Sequence, residues 1–306
     1  MFWQNYIKNF NSYLRFEKSF SINSVDAYIH DIEKLTQYLQ LIKSDATPLN
    51  INLMQLHDFI KWINELGLNA RSEARIISGI KAFFKYLLLE EFIQENPAEL
   101  LEAPQIGRKL PDTLNVIEID KLIAAIDLST LEGERNKVII ETLYSCGLRV
   151  SELINLKISN LHFKEEFILV EGKGNKERLV PIGKPTMKLI NNYIRKVRIG
   201  IKIKKSHEDY VFLNRRGSKL SRVMIFTIIK QLAEKIGLER NISPHTFRHS
   251  FASDLIDGGA DLRAVQEMLG HVSITTTEIY THLDREFLRE NILSYHPRAK
   301  SRKKQQ

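Results

Sequence analysis

The stretch EFILVEGKGNKERLVPI, residues 166–182, carries the strongest β signal in the chain. Two apolar-alternating runs flank GKGNK, and that pattern predicts a hairpin with Lys173 at its tip. DYVFL, residues 209–213, reads as one further short strand. Everywhere else the apolar residues recur at helical spacing or not at all. The fold class therefore turns on this hairpin: a mainly α protein with a small β-sheet.

Upstream, SVDAYIHDIEKLTQYLQLI (24–42) places Val25, Tyr28, Ile29, Ile32, Leu35, Leu39 and Ile42 on one helix face, with Ser24 expected as N-cap. In NARSEARIISGIKAFFKYLLLE (69–90), Ile76, Ile77, Ile80, Phe83, Phe84 and Leu87 form an apolar arc, while Arg71, Arg75, Lys81 and Lys85 lie opposite as a basic stripe. Such a stripe is an ordinary solvated helix face or a surface for a DNA backbone. The prolines Pro97, Pro104 and Pro111 break the helical period. The division expected is a helical domain over 1–103, a linker over 104–113 and a larger domain over 114–306. In the larger domain, helices are expected near 116–127 and 134–146. CGLRVSELINLK then turns at Gly147 and starts another helix, and helices resume after the hairpin from about 184. RKVRIGIKIKKS (195–206) reads as a basic loop or frayed helix end, and Gly258 and Gly259 end one helix before Asp261 starts the next.

The net charge of +8 is unevenly placed. Residues 1–103 hold 10 Lys+Arg against 13 Asp+Glu, leaving 35 against 24 for the remainder, so the excess lies in the larger domain. That balance points to a polyanionic partner, nucleic acid first. The single cysteine, Cys146, excludes a disulfide framework and any multi-cysteine zinc site within one chain; it reads as a small core residue in a reduced, cytoplasmic protein. Neither a signal peptide nor an apolar run of membrane-spanning length is present in the sequence.

SPHTFRHSFA (243–252) sets His245, Arg248 and His249 on successive turns of a helix. A metal would need further ligands, yet the Glu of an HExxH is absent and Cys146 has no cysteine partner. A phosphate site explains more of the same residues: an arginine fork matches two phosphate oxygens and keeps its charge. Arg149, at a helix start after Gly-Leu, is a second such arginine, placed where backbone N–H groups also favour an anion. His249 is expected to be a buried or capping histidine. LGHVSITTTEIYTH (269–282) adds His271 and, nine positions later, Tyr280 in a threonine-rich helix with no evident core to fill.

Taken in order, Arg149 in GLRVSEL, Lys173 in VEGKGNKERLVPI, His245 and Arg248 in HTFRH, His271 in LGH and Tyr280 in TTTEIYTH resemble the tyrosine recombinase family. The chain looks most like its Xer-type members, which resolve chromosome dimers, and the closing SYHPRAK resembles their C-terminus. The resemblance extends over nearly the whole chain.

That resemblance implies a two-domain, C-shaped clamp around double-stranded DNA, with a helical core-binding domain and a catalytic domain. It implies Tyr280 as the nucleophile that forms a 3′-phosphotyrosyl link, and Arg149 and Arg248 as the clamp on the nonbridging oxygens. His245 and His271 would donate hydrogen bonds, and Lys173, favoured over Lys176, would protonate the leaving 5′-oxygen. Glu152 would orient an arginine or a backbone amide. No cofactor and no metal is implied. The partners implied are a specific DNA site, a homo- or hetero-tetramer of recombinases and a DNA translocase, with Phe287, Leu288 and Ile292 of the C-terminal segment docking into a neighbour. A mobile-element integrase would share the same catalytic residues, and a noncatalytic DNA-binding module would share the basic, helical character without a reason for Tyr280 beside two arginines.

Overall fold

The computed structural model describes residues 2–105, 107, 112–172, 177–270 and 282–299, apart from the side chains of Phe2 and 282–284. The chain divides into two compact units, Met1–Lys109 and Leu110–Gln306.

The first unit is helical: α1 (Phe2–Phe16), α2 (Ile22–Leu41), α3 (Leu53–Glu65) and α4 (Ala70–Leu89). Helix α2 starts three residues earlier than expected, because Ser21 rather than Ser24 is its N-cap and accepts from the Ser24 N–H. Asn52 caps α3 through a reciprocal box with Gln55. The predicted apolar arc of α4 is buried, and Phe83 packs on Phe10 and Phe84 in edge-to-face pairs at 5.3 and 5.4 Å. Ile42 was expected on the buried face of α2 but is the exposed C-cap.

One polar group sits inside this core. The side chain of Asp31 on α2 is buried, and Arg75 of α4 donates to its Oδ2 at 2.7 Å. Burial pushes the Asp31 carboxyl above its ordinary value, with Arg75 opposing. Gly79 makes room for it, since a Cβ there would stand 2.9 Å from Asp31 Cβ.

The second unit holds α5 (Val116–Ala124), α6 (Leu131–Cys146), α7 (Val150–Ile154), a three-stranded antiparallel sheet of β1 (Leu161–His162), β2 (Phe167–Glu171) and β3 (Glu177–Pro181), then α8 (Lys184–Asn192), α9 (Arg222–Lys235), α10 (Pro244–Asp257), α11 (Leu262–Leu269) and α12 (His282–Tyr295). The predicted hairpin is present as β2 and β3, with Ile168 opposite Val180 and Val170 opposite Arg178. Strand β1 was not foreseen; two residues are too few to show alternation. DYVFL is not a strand. It makes only isolated bridges, Tyr210 to Lys157 and Leu213 to Lys219, and Val211, Phe212 and Leu213 are buried consecutively. Residues 195–206 are less of a basic surface than expected: Arg198 is buried and donates to the carbonyls of Tyr210 and Glu208.

Helix α6 lies at the centre, packed by α5, α8 and α10. Its Cys146 is fully buried, and burial pushes the thiol up to about 12, which makes it an inert core residue. Helix α10 ends at Gly258, and Asp261 caps α11 by accepting from Ala264 N–H at 3.0 Å, as the sequence pattern predicts.

The C-terminal helix corrects an expectation. Leu288 and Ile292 of α12 are buried against α10, α11 and β3 of the same chain, so two of the three apolar residues expected to dock into a neighbour are already covered, while Phe287 is exposed. The HPRA segment that follows is also fixed in place. His296 packs at a tilt against the rings of Tyr144 and Phe251, and Arg298 donates to Asp120 at 2.7 Å and pairs with Glu141 at 3.1 Å. Among the described residues no helix is long and apolar enough to cross a membrane.

Candidate active site

The turn between α6 and α7 organises the site. Gly147 caps α6 with φ of 57°, a left-handed conformation, and a Cβ there would fall 2.4 Å from the Phe251 ring of α10. The close approach brings the Gly147 carbonyl to α10, where Arg248 donates to it at 2.7 Å. Leu148 is buried, and Arg149 follows as the N-cap of α7.

Glu152, at the third position of α7, is the hub. Its side chain is fully buried, and its Oε2 accepts from the Arg149 backbone N–H at 2.7 Å while Oε1 accepts from the Arg149 guanidinium at 2.9 Å. The anion that the helix start was expected to attract is therefore the chain's own carboxylate. Arg178 of β3 grips the same group from inside with both fork nitrogens, Nη1 to Oε1 at 2.5 Å and Nη2 to Oε2 at 2.9 Å. Burial pushes the Glu152 carboxyl up, but Arg178 and Arg149 together outweigh it and hold it below the usual carboxylate range. It is ionised at neutral pH. Its contribution to stability is present above the ordinary carboxylate pKa and is lost as pH falls through the depressed folded value.

Arg248 lies almost as deep, 7% exposed, and its partners are carbonyls: Gly147 on one side and Leu269, the last residue of α11, on the other. The nearest carboxylate oxygen, Glu152 Oε2, is 3.9 Å away. Burial first, then the charges of Arg149 and Arg178, push the Arg248 guanidinium down to about 9. Three arginines thus converge on one glutamate, a cluster that a phosphate at its open side would relieve. Arg149 and His245 mark that side. Arg149 is about one-third exposed and His245 is exposed on α10. Partial desolvation, then His249, Arg248 and Arg149, hold the His245 imidazole below its ordinary value. At neutral pH it is the uncharged ring that offers one N–H donor.

The structure therefore brings together Arg149, His245 and Arg248 and sets Glu152 where it orients both an arginine and a backbone amide. Lys173, His271 and Tyr280 lie outside the described residues, as does the rival Lys176. His249 is exposed, not buried as expected. Among the described residues no three His, Cys, Asp or Glu side chains cluster as a metal site. Arg178 is the residue that sequence reading missed. Its signal was parity: it shares a strand face with Val180 and so points inward, where a lone arginine needs a buried partner.

The N-terminal stripe divides. Arg75 is held by Asp31, and Lys81 donates to the Glu99 carbonyl at 3.0 Å, while Arg71 and Lys85 are exposed. If this face follows a DNA backbone, replacing Arg71 and Lys85 together should flatten the slope of log affinity against log salt by about 2 units. Arg75→Ala would confuse that measurement, because it leaves the buried Asp31 carboxyl without its partner and so perturbs the fold as well as the charge. Filter binding from low to moderate salt gives the slope, and an unchanged slope would remove this face from the contact.

The model of the phage integrase family matches residues 113–286, and that of the phage integrase N-terminal SAM-like domain matches residues 7–91. The chain belongs to the phage integrase family. Its boundaries in this family leave the active-site turn, α10 and Tyr280 inside the integrase match. Tyrosine recombinase XerD of Chlorobaculum tepidum is 42% identical over 97% of this chain and 98% of its own length. Tyrosine recombinase XerD of Listeria monocytogenes is 38% identical over 96% and 99%. Among solved structures, the XerH site-specific recombinase bound to palindromic difH substrate in a post-cleavage complex is 27% identical with a TM-score of 0.70, over 89% of this chain and 80% of that one. The Tn1549 transposon integrase in complex with circular intermediate DNA shares the integrase fold at 20% identity and a TM-score of 0.69, over 88% and 92%.

Proposed function

We propose that this chain is an Xer-type, site-specific tyrosine recombinase that resolves chromosome dimers, with Tyr280 as nucleophile. Like other tyrosine recombinases it cuts and rejoins DNA strands. The observation that carries the residue-level reading is the convergence of Arg149 and Arg248, from α7 and α10, on the single buried carboxylate of Glu152, with His245 on the open side.

The Tyr280 phenolate attacks the scissile phosphorus in line, the bond to the 5′-oxygen breaks, and Lys173 supplies the proton that leaves with that oxygen. Arg149 and Arg248 hold the nonbridging oxygens as the phosphorane forms, and His245 and His271 add hydrogen bonds. The 3′-phosphotyrosyl link keeps the ester energy, so a free 5′-hydroxyl from the partner strand can attack it and release Tyr280. Four protomers on two duplexes, as homo- or hetero-tetramer, would exchange the strands, with a DNA translocase acting on the complex. Full-length similarity to the XerD proteins supports the Xer assignment.

The test is to incubate the protein with nicked genomic fragments in excess chelator, denature, and sequence the DNA that remains attached. One recurrent duplex site is expected in the chelated sample. Recovery only after a divalent ion is restored, or recovery of random sequence, would contradict the reading. On that site, Lys173→Ala should cleave slowly, and replacing the bridging 5′-oxygen by sulfur, a leaving group that needs no proton, should restore a rate near that of the unaltered protein. Rescue of Lys176→Ala in its place would assign the acid to Lys176.

A further inference from the structure

Arg178 stands apart from the residues that face the phosphate. It is 7% exposed, on β3, and both ends of its guanidinium are committed: the fork to Glu152, and Nε to the Met268 carbonyl at 2.8 Å in the last turn of α11. Gly270, in a left-handed conformation at φ of 65°, closes over the Arg178 side chain, and a Cβ there would lie 3.1 Å from Arg178 Cδ. Arg178 thus joins the sheet, the glutamate hub and the end of α11, whose Leu269 carbonyl is also held by Arg248.

The charge arrangement gives this contact a role. Glu152 is one carboxylate among three guanidinium groups. Arg149 already holds one of its oxygens at 2.9 Å; without Arg178 the carboxylate would hold Arg149 harder and draw in Arg248, closing the 3.9 Å gap. A bidentate, buried Arg178 engages both of its oxygens, so that the Arg149 guanidinium shares only Oε1, at 2.9 Å, and Arg248 stays 3.9 Å from Oε2 with its own donors on carbonyls. Resting on the functional reading above, we infer that Arg178 is a positioning residue of strand cleavage: it neutralises and orients Glu152, so that Arg149 and Arg248 keep their positive charge for the scissile phosphate.

The experiment follows single-turnover cleavage of the nicked site by the full chain and its variants, with DNA affinity and thermal midpoint measured beside it. Arg178→Met is expected to lose roughly 30-fold or more in rate with affinity within about threefold of the unaltered protein. Adding Glu152→Gln removes the charge that Arg178 neutralised, so Arg178→Met/Glu152→Gln should recover about tenfold over the single variant. The recovery stays partial because the Met268 carbonyl remains without its donor. If Arg178 merely packs the sheet, the double variant will be as slow as the single one or slower, which overturns the proposal.

Should Arg178→Met fail to fold, Arg178→Lys carries the test. A neutral methylphosphonate at the scissile position needs less positive charge from the clamp. The deficit of Arg178→Lys relative to the unaltered protein should shrink from about tenfold on phosphate to about twofold on methylphosphonate. An equal deficit on both substrates overturns the role in charge placement. Cleavage by the unaltered protein on the same DNA separates the two claims: if it forms no adduct, the recombinase reading fails and this role with it.

Discussion

Arg248→Ala is expected to slow strand cleavage by about a thousandfold or more, the size of effect that follows loss of a preorganised donor to a developing oxyanion. Site affinity should change little, because a clamp on duplex DNA binds through many phosphates. The rate loss has to be separated from a fold defect. Arg248 donates to the carbonyls of Gly147 and Leu269, and alanine leaves both unpaired in the interior, each at about 1–3 kcal/mol. Arg149→Ala is the cleaner companion, since that side chain is partly exposed and its main tie is to Glu152. A comparable rate loss is expected from it with a smaller fall in thermal midpoint. Arg248→Lys keeps a charge but not the fork, and should remain impaired by at least about tenfold. Burst kinetics on the nicked site measures all three; a near-normal rate for Arg149→Ala would remove it from the clamp.

Much of the helical core was legible because its period is regular. The α4 arc from Ile76 to Leu87 is buried as predicted, and the two strands of the hairpin stand where the apolar runs around GKGNK put them. The elements that were misread are those in which tertiary contacts override local pattern. DYVFL looks like a strand because it is apolar, but those residues fill the core as a loop with isolated bridges at Tyr210 and Leu213. The face of α12 looked unpartnered because nothing in its own sequence reveals that α10, α11 and β3 cover it.

The site divides along the same line. Arginines and a histidine in recognisable local contexts were visible, and so was Glu152 as their support. The pairing of Arg178 with Glu152 joins positions 26 residues apart in sequence. The sequence does hint that Arg178 points inward, since it alternates with Val180, but not which acid it meets. In the same way Arg75 and Lys85 share a helix face on paper, yet only the packing of α2 against α4 reveals that Asp31 holds the first of them.

Tyr280 lies outside the described residues, and the proposed strand cleavage depends on it more than on any other side chain. Tyr280→Phe removes one hydroxyl and nothing that binds DNA, so complete loss of covalent chemistry with site affinity unchanged is expected. The decisive measurement is made on the unaltered protein: trap it on the nicked site in chelator, digest, and identify by mass spectrometry the peptide that carries the nucleotide. A phosphodiester on the Tyr280 oxygen, linked to the 3′ end of the cut strand, is expected, with no adduct from Tyr280→Phe. An adduct on another residue, a link to the 5′ end, or an adduct persisting at full yield in Tyr280→Phe would contradict the proposed cleavage.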